Sequence, residues 1–407
     1  MAGGAVAGFD PVAATAAYLA ILSPAEHAKA IAYTRGGYWL LLWGALVSIL
    51  AAWLVLRSGL LVRLRDRLDP DGTRPKRALL AIAATFLLAT TLIELPWAIY
   101  ARWWRERSYG LSAQPFASWL GDQAKALPIS LIFTCLFLLA LYTLIRRAPR
   151  LWWAWSSLVA VAGLILVLVI TPIVIEPLFN TYTPAPPGPL RDTVVKLAEA
   201  TGVPHDKIYI YNGSKQSERY TANVSGLFGS ARVAMSDTMF AQNADRAEVV
   251  GVLGHEMGHY SRHDILMLVG GMSLIIGICL FLSDRLFPWL VARLPGGDAV
   301  RGLADPAGLP VLMIIVSALG LVAGPFMNSL TRIAETGADA FSLRYAHEPD
   351  GLARALVKTI AYRASSPNRV EEILFYNHPS VERRVRRAMD WKAAHPTGVG
   401  APFGRLP

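Results

Sequence analysis

Six stretches of this chain stay apolar over roughly 18 or more residues, the length a helix needs to cross a bilayer. They cover residues 38–56, 79–100, 127–145, 152–175, 265–282 and 309–330. A buried helix in a soluble core could account for one such stretch, but not for six. Charged residues make up only 17% of the chain, against about 25% in a typical soluble domain. The sequence therefore specifies a mainly α membrane protein. Its two cysteines, Cys135 and Cys279, lie inside apolar stretches. They read as small hydrophobes, which argues against a disulfide framework or a thiolate metal site. The net charge of +10 gathers beside the spans: seven basic residues fall within 57–77, and Arg146, Arg147 and Arg150 form another cluster. That placement points to anionic lipid head groups as a partner and away from nucleic acid. The first fifteen residues lack a basic region and include Asp10, so no cleavable signal peptide is expected and the first span serves for insertion.

The spans divide the chain into an interfacial segment (1–37), a membrane domain of four spans (38–176), a catalytic domain (177–264), two further spans (265–330) and a basic helical C-terminal segment (331–407). Residues 190–263 are the one sizeable water-soluble stretch. They read as a helix at 190–201, strands at 207–211 and 220–225, a Gly-rich turn at 226–230, a strand at 232–235 and a final helix. Asp245 with Glu248 three residues on is a plausible capping pair for that last helix. Lys and Arg divide almost evenly between the two sides of the membrane, so charge does not set the orientation.

That last helix carries His255-Glu256-Met257-Gly258-His259. Positions four apart share a helix face, so both histidines can bind one Zn²⁺. Glu256 is rotated off the pair, placed to act on water rather than to ligate, as metal-assisted peptide hydrolysis requires. A zinc protease needs a third protein ligand and an open position for water. Glu335, after two more spans, is the natural third ligand, and Asp339, one turn later, can fix the tautomer of a ligating histidine. The alternative for this pair is an amphipathic surface helix with acids one turn apart.

The order His255-Glu256-x-x-His259, Glu335-x-x-Ala338-Asp339, His378-Pro379-x-x-x-x-Arg384 resembles the CAAX prenyl protease 1 family of integral-membrane zinc metallopeptidases. Two further stretches are similar to that family: Arg107-Ser108-Tyr109-Gly110-Leu111-Ser112-x-Gln114, ahead of Trp119 and Asp122, and Pro177-Leu178-Phe179-Asn180. The resemblance covers about residues 79–390. It implies six or seven transmembrane helices around a water-filled chamber, with a small α+β zincin-like catalytic domain. It implies one zinc on His255, His259 and Glu335, with Glu256 as general base. His378 would stabilise the oxyanion, and Arg384 would hold Glu335 or another carboxylate in place. Without the resemblance, His378-Pro379 would be an ordinary loop turn and Arg384 one more basic surface residue.

Metalloproteases of this type bind substrate as an added strand along a sheet edge. The candidate edge here is Thr221-Ala222-Asn223-Val224. Where family members carry Asn-Ala-Tyr-x-x-Gly, this chain's asparagine is displaced by two residues, which keeps it on the same strand face. The implied substrates are prenylated CAAX-type C-termini or misfolded membrane proteins. The Ala- and Arg-rich composition is similar to that of bacterial chains, which suggests an inner-membrane protein with its site on the cytoplasmic side. A transporter or scaffold with a relic site is the rival reading, and the intact Glu256 argues against it. Glu94, late in the second span, is expected to line a wet interior, Trp103 and Trp104 to anchor at the interface, and His263 to sit at the interface beside Asp264. His27, His205, His347 and His395 are expected at the surface.

Overall fold

The computed structural model describes residues 8–71, 73–217, 220–226, 231–240 and 244–400. Among the described residues, six helices are long and apolar enough to span a membrane: Pro24–Arg57, Pro75–Ser108, Phe116–Arg147, Trp152–Phe179, Asp264–Val291 and Pro306–Ala346. Each of the six predicted stretches lies within one of them, and every helix overruns its apolar stretch by more than a turn at one end or more. The first helix starts at Pro24 behind a Ser23 cap, so residues 24–37 are continuous with it. The last matters most for the site. One helix, Leu309–Ala346, runs unbroken through residues 330 and 331. At 1.5 Å per residue its 38 residues reach well past the roughly 30 Å hydrocarbon core. Its far turns, carrying Glu335 and Asp339, therefore belong to the catalytic end.

Burial along the spans is concentrated at their ends. One core forms at the side opposite the catalytic domain, around Ala52, Leu56, Ile82, Tyr142, Trp152, Phe287 and Val311. Midway, none of residues 31–50, 87–98, 120–137, 157–170, 265–282 and 316–333 is fully buried. Midway the helices therefore do not pack as a solid bundle. Glu94 lies in this zone, half-buried, with no hydrogen bond or ion pair to another described residue. The basic stretch 57–77 contains a short helix, Leu60–Leu68, and there one expectation fails. Arg65 faces inward and is buried in an ion pair with Asp305, so it cannot serve lipid head groups.

Residues 177–264 hold a four-stranded sheet of order β1-β2-β4-β3, made of Tyr182–Pro184, Ile208–Tyr211, Arg232–Ser236 and Ala222–Ser225 in spatial order. β4 pairs parallel with β2 and antiparallel with β3. The sheet packs on helices Pro189–Thr201 and Arg246–Ser261 through Val194, Leu197, Val233, Met235, Val249 and Leu253. The Gly-rich turn read at 226–230 lies outside the described residues from 227 on. A third cluster joins helices Pro349–Lys358 and Val381–Ala394 to the N-terminal helix Pro11–Leu19, where the Tyr18 hydroxyl donates to Asp350 at 2.7 Å. His347 is a correction. It is buried at the end of the last spanning helix in a left-handed turn (φ 56°), stacked on Trp391.

Candidate active site

The motif helix Arg246–Ser261 is capped by Asp245, whose carboxylate accepts from the Ala247 and Glu248 amides. Glu248 does not complete a capping box. Its buried carboxylate instead pairs with Lys358 and Arg354 from a neighbouring helix. The helix must lie very close to its neighbours, and three glycines permit it: Gly254 and Gly258 face the last spanning helix, and Gly251 faces helix Pro349–Lys358. A Cβ at Gly254 would meet Ser342 Oγ at 2.9 Å and Ala346 Cβ at 3.0 Å. One at Gly258 would come within 3.1 Å of the Ala338 backbone, and one at Gly251 within 2.8 Å of the Leu352 amide nitrogen. The contact with the last spanning helix brings Glu335 and Asp339 against the two histidines.

His255, His259 and Glu335 each offer one ligand atom, all within 4.8 Å of one another. The nitrogens His255 Nε2 and His259 Nε2 are 3.2 Å apart, and they lie 3.2 and 3.5 Å from the two carboxylate oxygens of Glu335. The other ring nitrogens face acids: His255 Nδ1 lies 3.0 Å from Asp339 Oδ1 and His259 Nδ1 lies 3.0 Å from Asp264 Oδ2. With both Nδ1 atoms donating, both Nε2 atoms present lone pairs to each other and to a carboxylate. Glu335 Oε2 is buried and makes no hydrogen bond of good geometry, despite its proximity to His255. Three acceptors converging on one point repel unless a cation sits among them, so the donor set fits a divalent metal. The same convergence acts on protons. Burial would lower the pKa of His255, but hydrogen bonds to Asp339 and Glu335 push it up to about 10.

Arg384 fixes this arrangement. It is buried and donates through Nε and Nη2 to the two oxygens of Asp339, at 2.8 and 2.6 Å, with Nη2 also 3.5 Å from Glu335 Oε2. The carboxylate it mainly holds is thus that of Asp339. Asp264 was not identified from sequence as a partner of His259. It is buried at the start of the next span, reached through His263, a non-glycine residue in the left-handed region (φ 54°). Its adjacency to the motif was the available signal.

A cavity of about 1080 Å³ opens onto these groups, lined by His255, Glu256, Glu335, His378 and Arg384. Gly110, Leu111, Ser112 and Ala113 form part of its wall. That loop is braced by Gln114, which donates to Asp122 at 2.7 Å. Glu256 makes no hydrogen bond or ion pair to another described residue, and burial raises its pKa while His255 and His259 pull it down. His378 places Nε2 3.1 Å from Glu335 Oε1. Burial, joined by the charges of Arg363 and Arg384, lowers the His378 pKa to about 4 against the pull of Glu335, so the ring is neutral near pH 7. Thr221 leads into β3 and Ala222, Asn223 and Val224 lie on it, at the edge of the sheet. Of this stretch it is Tyr220, not these four residues, that lines the cavity. Trp103 is tied to the Gln114 carbonyl at 3.1 Å, while Trp104 is exposed.

The model of peptidase family M48 matches residues 184–392, more than half of the chain. The chain belongs to peptidase family M48. A second model, the CAAX prenyl protease N-terminal region with five membrane helices, matches residues 12–181 of this M48 peptidase. Four of the spanning helices fall in that region, together with the short helices Pro11–Leu19 and Leu60–Leu68. The M48 chain is 28% identical to the uncharacterized metalloprotease YhfN of Bacillus subtilis over 90% of this chain and 86% of that one. It is 27% identical to CAAX prenyl protease 1 of Saccharomyces cerevisiae, over 74% of this chain and 70% of that one. Its fold is that of the S. mikatae Ste24p crystal structure, with a TM-score of 0.73 at 22% identity over 91% of this chain and 89% of that chain. The protein is a multi-pass membrane metallopeptidase of the CAAX prenyl protease type, acting on peptides or proteins.

Proposed function

We propose that this M48 peptidase is a zinc endopeptidase whose metal is held by His255, His259 and Glu335. The convergence of His255 Nε2, His259 Nε2 and a Glu335 carboxylate oxygen beside an uncommitted Glu256 carries this reading. Zinc bound there would polarise the scissile carbonyl and lower the pKa of water. Glu256 then takes a proton from the attacking water and passes it to the leaving amine; burial, by raising its pKa, suits it to both roles. His378, neutral near pH 7, donates from Nε2 to the negative charge developing on the carbonyl oxygen. Asp339 and Asp264 hold the two ligating rings in the tautomer that leaves Nε2 free. Arg384 positions Asp339.

β3 supplies a sheet edge along which an extended peptide can add as a further strand; in the stretch 221–224 the backbone groups of Ala222 and Val224 face outward for it, while those of Thr221 and Asn223 face β4. Candidate substrates are CAAX-type C-termini carrying a prenyl chain and misfolded membrane proteins, both of which present an unfolded segment at a membrane surface. The setting proposed is a bacterial inner membrane with the catalytic end in the cytoplasm and lipid around the spans, and without nucleic acid as a partner. Zinc content and peptide hydrolysis, measured together for wild type and Glu256→Gln, test the assignment. Retained zinc with hydrolysis lost by at least a hundredfold is expected, on the order of what a positioned acid–base group contributes. Equal hydrolysis by the two proteins, or zinc bound by neither, would refute it. Farnesylated against unmodified peptides separate the two substrate classes, and protease access to residues 190–263 in sealed vesicles fixes the orientation.

A further inference from the structure

The cavity wall contains a cation that the mechanism above does not use. Arg363 follows a short 3-10 turn, Thr359–Tyr362, and lines the cavity with His255, Glu256 and His378. Its guanidinium makes no hydrogen bond or ion pair to another described residue, and its carbon lies 5.9 Å from the centre of the Tyr362 ring. The other cavity cations are committed. Lys358 pairs with Glu248 and lies over the Tyr220 ring, and Arg384 is bound to Asp339. Of the cavity acids, Glu256 is the one the proposed mechanism assigns to water, and the other two are committed. Asp237 accepts from Ser214, and Glu335, whose charge Arg363 feels, is turned to the imidazoles of His255, His259 and His378. A partly desolvated guanidinium with five donors and no acceptor is unusual, because its fork matches a carboxylate.

We infer that Arg363 receives a carboxylate of the bound peptide, and so selects substrates with an anionic group close to the scissile bond. The inference rests on the peptidase reading and adds to it a substrate class. The cavity, at about 1080 Å³, is at the upper end of ligand pockets and has room for a short peptide segment beside the metal ligands. Two sources of the carboxylate share this chemistry: the C-terminal α-carboxylate of a peptide cut a few residues from its end, and an Asp or Glu side chain near the cleavage point.

Three versions of one peptide distinguish them: free acid, C-terminal amide, and amide with one glutamate placed after the scissile bond. Wild type is expected to cleave the free acid or the glutamate peptide with a lower KM than the plain amide. The advantage should be on the order of tenfold to a hundredfold, the range for a hydrogen bond to a charged group. Arg363→Gln should abolish that preference, read as the ratio of KM values for the charged and plain peptides, with zinc content retained; Arg363→Lys should keep part of it. Binding of the same peptides to Glu256→Gln protein, read by fluorescence anisotropy, decides the matter even where no cleavage occurs. A wild-type enzyme indifferent to the carboxylate, or a preference that survives in Arg363→Gln, overturns the role of Arg363 and leaves the peptidase reading standing. Loss of zinc or of all hydrolysis in wild type overturns the peptidase reading instead.

Discussion

Replacing Asp339 by asparagine removes one charge without changing the volume of the side chain. In the native site the Asp339 oxygens accept from Arg384 Nε and Nη2 and face His255 Nδ1, all within 3.0 Å. An asparagine offers one acceptor oxygen and an NH₂ group, and both of its ends would face donors. At least one buried donor is then left unpaired, at about 1–3 kcal/mol. Arg384 also loses its principal counter-charge, and breaking a buried ion pair costs about 3–5 kcal/mol in all. Its Nη2 is already 3.5 Å from Glu335 Oε2, so the unbalanced guanidinium should turn toward that oxygen and compete with the metal. Released from Asp339, the His255 ring can also adopt the wrong tautomer. Loss of such an outer partner typically weakens metal affinity by about 10–100-fold. By linkage, a fixed zinc concentration then stabilises the variant by about 1.4–2.7 kcal/mol less than wild type. The assay is a zinc titration against a competing chromophoric chelator on the full chain in detergent, with thermal melts of metal-free and zinc-loaded protein. Hydrolysis at saturating zinc should return to within about tenfold of wild type, because Asp339 acts through His255. If metal-free stability falls while zinc affinity changes by less than about threefold, Asp339 merely packs Arg384 and the reasoning is wrong.

His378→Ala should lower kcat by about a hundredfold to a thousandfold, the usual cost of one oxyanion donor, with zinc content intact; parallel loss of zinc in the same assay would make His378 a ligand instead. Gly258→Ala puts a methyl 3.0–3.2 Å from Phe341 Cβ and the Ala338 backbone. It should cost about 1–3 kcal/mol of thermal stability and weaken zinc binding by moving Glu335 off the histidines. Gly270→Ala, with open space at its Cβ, is the control: a melt as depressed as that of Gly258→Ala would show that helix contact is not the cause.

The parts of the site that could be read from the sequence are those set by position along one helix. The spacing of His255 and His259 places them on one face in any α-helix, and the same holds for Glu335 and Asp339. Distance along the chain hid the rest. Nothing local announces that the helix bearing Glu335 is the uninterrupted end of the last span, because polarity rises at Thr331 while the backbone stays helical. The close crossing of the two ligand helices depends on Gly254 and Gly258, whose partners lie at least 80 residues away and cannot be recognised from their own neighbourhood. Charge misleads in the same way. Arg65 and Arg384 stand in basic clusters that look solvated, yet each is buried on an acid more than 40 residues distant, Asp305 and Asp339. Arg363 shows the converse, a cation whose neighbours on the chain explain nothing and whose significance is the missing partner. A desolvated ionisable group that the fold leaves unpaired in a cavity wall is a candidate for contact with a ligand. Sequence can identify the group, but only the assembled cavity can show that it is left unpaired.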